Sequence, residues 1–134
     1  MTWFHSARIL IAEDSQLTRI QLRHILEELN VGEIHEATDG MEAWNALQEG
    51  NFTCLLLDWE MPRLDGLALL EKIRQDKRLQ HLPVLMITIH SDRQKVIQAM
   101  QHNLRGYIHK PIDAMVVKHK VKEILSEPSQ ASAP

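Results

Sequence analysis

Five short aliphatic runs, each followed by a stretch with helical spacing, constrain this chain more than any other feature. The runs are Ala7–Ala12, Ile34–Ala37, Leu55–Asp58, Val84–Thr88 and Gly106–His109. They are bounded by polar turn signals, which suits strands buried in a parallel sheet. Between them, Leu22, Ile25, Leu26 and Leu29 mark one helical face, and Met41, Trp44 and Leu47 the next. Leu67, Leu70 and Ile73 mark a third, Val96, Ala99 and Met100 a fourth, and Val117, Val121, Ile124 and Leu125 the last. Apolar spacing of this kind buries one side of a helix. Such alternation predicts an α/β fold with a parallel sheet. Asp39-Gly40 and Asp65-Gly66 punctuate two helix starts, as turn chemistry predicts. Trp44 and Met100 read most simply as core.

With 134 residues the chain holds one domain with a substantial core, and no internal repeat is visible. Residues 1–125 read as that domain, and Ser126–Pro134, small, polar and proline-bearing, as a flexible tail or the start of a linker. A net charge of −3 argues against a nucleic-acid grip by this domain. The single cysteine, Cys54, lies within an apolar run and reads as a small buried hydrophobe in a reducing compartment. No apolar stretch reaches membrane-spanning length and no secretory signal is visible, so the expected location is the cytoplasm. The eight histidines show no paired metal spacing, which argues against zinc. Lys118, Lys120 and Lys122 read as a solvated helix face.

Acids end two of the runs. Asp58 closes Cys54–Leu57, and the pair Glu13-Asp14 closes Ile9–Ala12. If the two strands are neighbours, three carboxylates converge at the C-terminal edge of the sheet, where open α/β folds place ligands. Crowded carboxylates repel one another unless a cation sits among them, and hard oxygen ligands favour Mg²⁺. An aspartate can also act as a nucleophile toward phosphorus, forming an acyl phosphate. Such a step relies on positioning and on neutralising the charge of the transferring group. Lys110, followed by Pro111 after the last run, supplies a candidate cation, and Thr88 at the end of the fourth run a candidate hydroxyl. Taken singly, each residue has a plainer role. Asp58 would be a turn former, Glu13-Asp14 a helix cap, Lys110 a solvated lysine, Thr88 a strand residue and Tyr107 a half-buried aromatic.

As an ordered set, these residues resemble the receiver domain of two-component response regulators, whose single-domain form is known from chemotaxis. The matching elements are Glu13-Asp14, Asp58-Trp59-Glu60-Met61-Pro62 with Asp65-Gly66, Thr88, Tyr107 and Lys110-Pro111. The separations fit as well: 44 residues from Asp14 to Asp58, 30 to Thr88 and 22 more to Lys110. The resemblance implies a doubly wound, flavodoxin-like sheet of five parallel strands in the order 2-1-3-4-5, within three αβα layers. It implies that Asp58 accepts a phosphoryl group from a histidine kinase or histidine phosphotransfer protein. Mg²⁺ would be held by Asp14, by Glu13 through water, by Asp58 and by the backbone carbonyl of Glu60. Lys110 would pair with the phosphoryl oxygens and Thr88 would donate to one of them. Thr88 and Tyr107 would then switch together, altering the face of the fourth helix, fifth strand and fifth helix toward a downstream protein or output domain. The family includes monomers and phosphorylation-dependent dimers. It catalyses no reaction beyond its own phosphorylation and dephosphorylation.

The chain departs from the family pattern at several positions. Ile89 replaces the usual alanine or glycine after Thr88, which predicts slower access for phosphodonor and water. Asn103-Leu104 stands where a Gly-Ala pair is usual, which bears on how the fourth helix ends. Glu60 and His90 occupy the variable positions that tune phosphoryl lifetime in relatives, and are expected to pair across the site. The leading rival reading is a receiver fold used as a phosphorylation-independent interaction module. A phosphatase of the haloacid dehalogenase type also uses a strand-end aspartate and Mg²⁺, but the residues after Asp58 match it poorly.

Overall fold

The computed structural model describes residues 2–90 and 92–126, so the predicted tail beyond Ser126 lies outside the described residues. A short 3₁₀ helix, Thr2–Ser6, precedes β1 (Arg8–Ala12), α1 (Gln16–Glu28), β2 (Glu33–Ala37), α2 (Gly40–Glu49) and β3 (Cys54–Asp58). There follow α3 (Gly66–Gln75), β4 (Val84–Thr88), α4 (Arg93–Met100), β5 (Gly106–His109) and α5 (Ala114–Leu125). All strand pairs are parallel and the sheet order is β2-β1-β3-β4-β5, as the sequence predicts. Three strand starts differ by one residue from the expected bounds, at Arg8, Glu33 and Cys54.

Alternating strand residues divide the core in two. Ile9, Ile11, Leu56, Leu85 and Ile87 pack against α1 and α5. Leu10, Ala12, Leu55, Leu57 and Met86 pack against α2, α3 and α4. The sheet is thus covered on both faces, which is why β3 and β4 are apolar throughout rather than alternating. Register sets the strand ends level, with Ala12 beside Ala37 and Leu57, Asp58 beside Ile87, and Thr88 beside His109.

Two expected core positions differ. Met100 is 45% exposed, because α4 spans only Arg93–Met100 and buries a single small residue, Ala99. In α2 the buried line is Gly40, Ala43 and Leu47, whereas Met41 is exposed and Trp44 packs at the core margin. The cause is closeness: a Cβ on Gly40 would lie 1.8 Å from the Leu64 carbonyl oxygen, so only glycine fits there.

All five α-helices begin at the C-terminal edge of the sheet with a side-chain cap. Ser15 accepts from the Thr18 amide, Asp39 from Glu42, Asp65 from Ala68, Asp92 from Gln94 and Lys95, and Asp113 from Met115. Each cap satisfies amides that would otherwise lack an acceptor, a contribution of about 1 kcal/mol per helix. Among the described residues no helix is long and apolar enough to cross a membrane.

Candidate functional site

The central pairing of β1 with β3 carries Glu13, Asp14 and Asp58 to one place. One oxygen from each carboxylate lies within 4.8 Å of the other two. Glu13 continues the strand ladder, its amide donating to the Ala37 carbonyl at 3.0 Å. That turns its side chain inward, where it is 1% exposed, whereas Asp14 faces solvent. Glu13 Oε2 accepts from the Ser15 amide at 3.0 Å. Asp58, also buried, accepts from the Glu60 amide through Oδ1 at 3.4 Å.

Lys110 enters from the end of β5, its amide donating to the Thr88 carbonyl at 2.9 Å and the Lys110-Pro111 bond being cis. Its Nζ stands 3.3 Å from Asp58 Oδ2 and 2.8 Å from Glu13 Oε1. The ammonium thus pairs with both buried carboxylates, more closely with Glu13 Oε1 than with Asp58 Oδ2. Burial pushes the Glu13 carboxyl up to about 7, against the opposing pull of Lys110 and Ser15. For Lys110, burial works to lower the ammonium pKa, but Glu13 and Asp58 outweigh it and hold the group above its ordinary value. Three carboxylates against one ammonium leave negative charge in excess. That excess and the all-oxygen donor set fit a hard divalent cation such as Mg²⁺.

A second group adjoins the first through the backbone of residues 88–90. Thr88 is fully buried and its Oγ1 accepts from the His90 amide at 3.2 Å. Tyr107, half-buried, donates its hydroxyl to the His90 carbonyl at 2.9 Å. His90 Nε2 lies 3.2 Å from Glu60 Oε2, so the two side chains meet across the mouth as expected. The imidazole also meets the edge of the Trp59 ring, with centroids 5.5 Å apart. Ile89 projects outward at the rim, 64% exposed. Asn103 ends the α4 region with a left-handed φ of 61°, a conformation asparagine tolerates, and Leu104 packs into the core.

Sequence reasoning missed two basic residues here. Lys95 stands over the Trp59 ring, 5.4 Å from its centroid, and the two help line a cleft of about 430 Å³ beside Asp14 and Glu60. Arg19 donates to the carbonyls of Glu13 and Asp14 at 2.8 and 3.1 Å. The only available signal was position: Arg19 lies one turn past the Ser15 cap that follows the acidic pair. Cys54 is fully buried and its thiol is pushed up to about 12 by that burial, consistent with a packing role.

An acidic trio with a converging lysine, at the C-terminal edge of a 2-1-3-4-5 sheet, narrows the choice of family. The family model of the response regulator receiver domain matches residues 9–122. The chain belongs to this family. The receiver domain is 41% identical over 117 residues to the chemotaxis protein CheY of Pseudomonas aeruginosa, covering 87% of this chain and 94% of that protein. Against chemotaxis protein CheY-3 of Vibrio cholerae the identity is 40% over 117 residues, covering 87% and 90%. Among solved structures, the receiver domain of a signal transduction histidine kinase from Syntrophus aciditrophicus aligns with a TM-score of 0.83 at 29% identity. That alignment covers 96% of this chain and 98% of the other. The CheX–CheY–BeF₃–Mg²⁺ complex from Borrelia burgdorferi aligns with a TM-score of 0.83 at 28% identity, covering 90% of each chain. Membership in a two-component signalling family, not a family of classical enzymes, sets aside the phosphatase reading.

Proposed function

We propose that this receiver domain accepts a phosphoryl group on Asp58 from a histidine kinase or histidine phosphotransfer protein in the cytoplasm. The observation that carries the reading is the meeting of Glu13, Asp14 and Asp58 with Lys110 at one sheet edge. Asp14, Asp58 and the Glu60 carbonyl would hold Mg²⁺, with Glu13 reaching it through water. Bound there, the cation would supply positive charge to the phosphoryl oxygens as the bond to phosphorus forms.

In the transfer, an Asp58 carboxylate oxygen bonds to phosphorus as the phosphorus–nitrogen bond to the donor histidine breaks, and the imidazole nitrogen keeps that electron pair. Lys110, already 3.3 Å from Asp58, pairs with the incoming negative charge. Thr88 then turns its hydroxyl from the His90 amide toward the phosphoryl group. Because Tyr107 is tethered to the same residue, the His90 backbone links both ends of the rearrangement. The covalent charge stabilises one of two arrangements of the α4-β5-α5 face, and a downstream protein or output domain reads that face.

The test is intrinsic tryptophan fluorescence during addition of Mg²⁺ and then beryllofluoride, in wild type and in Asp58→Asn. Trp59 adjoins the proposed acceptor and reports on it. A Mg²⁺-dependent change and a further beryllofluoride response, the latter lost in the variant, are expected. A folded wild type silent to both would favour the phosphorylation-independent interaction module.

A further inference from the structure

The Arg19 side chain, in the first turns of α1, points back at the loop after β1 and is only 14% exposed. Its Nη1 forks onto two consecutive carbonyls, Glu13 O at 2.8 Å and Asp14 O at 3.1 Å. Its Nε donates to Glu36 Oε1 at 3.1 Å. The other oxygen of that carboxylate accepts from Arg23 Nε at 2.6 Å, and Arg23 Nη2 donates to the Ile34 carbonyl at 3.1 Å. The guanidinium is therefore anchored to β2 at one end and grips the backbone of the acidic pair at the other. A carbonyl held in place fixes its peptide plane, and successive peptide planes fix the direction in which each intervening side chain leaves the backbone.

We propose that Arg19 is a positioning residue for the divalent cation, holding the Glu13-Asp14 backbone so that both carboxylates converge on Asp58. Glu36 and Arg23 hold Arg19 in turn. The inference rests on the acidic trio being a Mg²⁺ site. Arginine suits the task better than lysine, because its planar fork serves several acceptors at once while lysine offers a point charge.

Charge and positioning predict opposite signs, which makes the idea testable. Deleting a cation next to three carboxylates makes the local potential more negative, and it leaves Glu36 less compensated. Both changes would tighten Mg²⁺ binding. Loss of positioning weakens it, and removing a residue that orients metal ligands typically costs about 10- to 100-fold in affinity.

The experiment is Mg²⁺ titration of the full chain, read by tryptophan fluorescence and by calorimetry, in wild type, Arg19→Ala and Arg19→Lys. Circular dichroism confirms that each protein is folded at the titration temperature. The expected result is binding about tenfold weaker in Arg19→Ala, with Arg19→Lys in between. Equal or tighter binding by folded Arg19→Ala overturns the proposal. If that variant does not fold, wild-type affinity in Arg19→Lys overturns it instead. A wild type that binds no Mg²⁺ by either readout overturns the metal reading itself, before any variant is compared.

Discussion

Glu13 and Lys110 stand with Oε1 and Nζ 2.8 Å apart, yet the Glu13 carboxyl is held up at about 7 instead of being drawn down by the cation. Desolvation outweighs the ion pair. A carboxyl raised in the folded state binds its proton more tightly there than in the unfolded chain. Its contribution to stability is thus complete below about 4.5 and is lost as pH rises through about 7. In Mg²⁺-free buffer, wild type should lose stability across this interval relative to Glu13→Gln, which has no proton to release. Urea unfolding of both proteins across the interval measures the difference. Parallel pH profiles would show that Glu13 titrates normally.

Ile89 adjoins Thr88 and is exposed at the rim, so replacing it changes access without disturbing the core. Ile89→Ala should speed both phosphorylation from a small phosphodonor and the later hydrolysis, each by several-fold, with an unchanged urea midpoint. Rates that match wild type would mean the side chain does not obstruct the mouth.

The tether between Tyr107 and the His90 carbonyl is a single neutral hydrogen bond. Tyr107→Phe should cost about 1 kcal/mol of stability, the usual net worth of such a bond. If the tether also couples the two ends of the switch, beryllofluoride should then alter the α4-β5-α5 face less than in wild type. Amide chemical shifts in α4 and β5 would report this, and a full-sized response would dissociate Tyr107 from the switch.

Gly66 starts α3 against the end of β3, with its amide donating to the Trp59 carbonyl at 2.6 Å. A Cβ there would lie 2.3 Å from the Asp58 carbonyl oxygen and 2.7 Å from Trp59 Cα, too close for either backbone to remain in place. Gly66→Ala should therefore destabilise the fold by about 1–3 kcal/mol and weaken Mg²⁺ binding by shifting Asp58. Chemical denaturation and Mg²⁺ titration measure the two effects. Wild-type values in both would mean that the α3 start yields without moving β3.

Where a residue's partner is a strand or another side chain, the sequence was informative. Five apolar runs became five parallel strands, because strands buried on both faces have little choice but aliphatic residues. Glu13, Asp14, Asp58 and Lys110 were readable because each directly follows or ends such a run. Residues that act on backbone carbonyls were not readable, since a carbonyl leaves no pattern of residue types. Arg19 is one case. Arg74 is another, donating to the carbonyls of Gln80, Leu82, His102 and Asn103 and so joining the loops before β4 and β5. The α2 face was misjudged because Gly40 and Ala43 are buried for their smallness, to which hydrophobic spacing is blind. Met100 was misjudged because its helix ends where its own burial would have begun.

Four of the five α-helices open with an aspartate, and all four aspartates lie along the edge that carries the acidic trio. Helix starts commonly lend an anion-binding edge its attraction, but here carboxylates have already taken up the first amides and offset the positive ends of the helices. On the proposed function, the edge would discriminate among donors by charge. With Asp39 paired to Arg63, the remaining cap carboxylates and the acidic trio would still repel a small free phosphate compound, and its encounter rate should rise with added salt. A phosphoryl group presented on a protein with a basic surface would approach the same carboxylates with electrostatic help, and its rate should fall with added salt. If Asp58 is the phosphoacceptor proposed above, the capping residues would favour a phosphoryl group delivered on a protein over one free in solution.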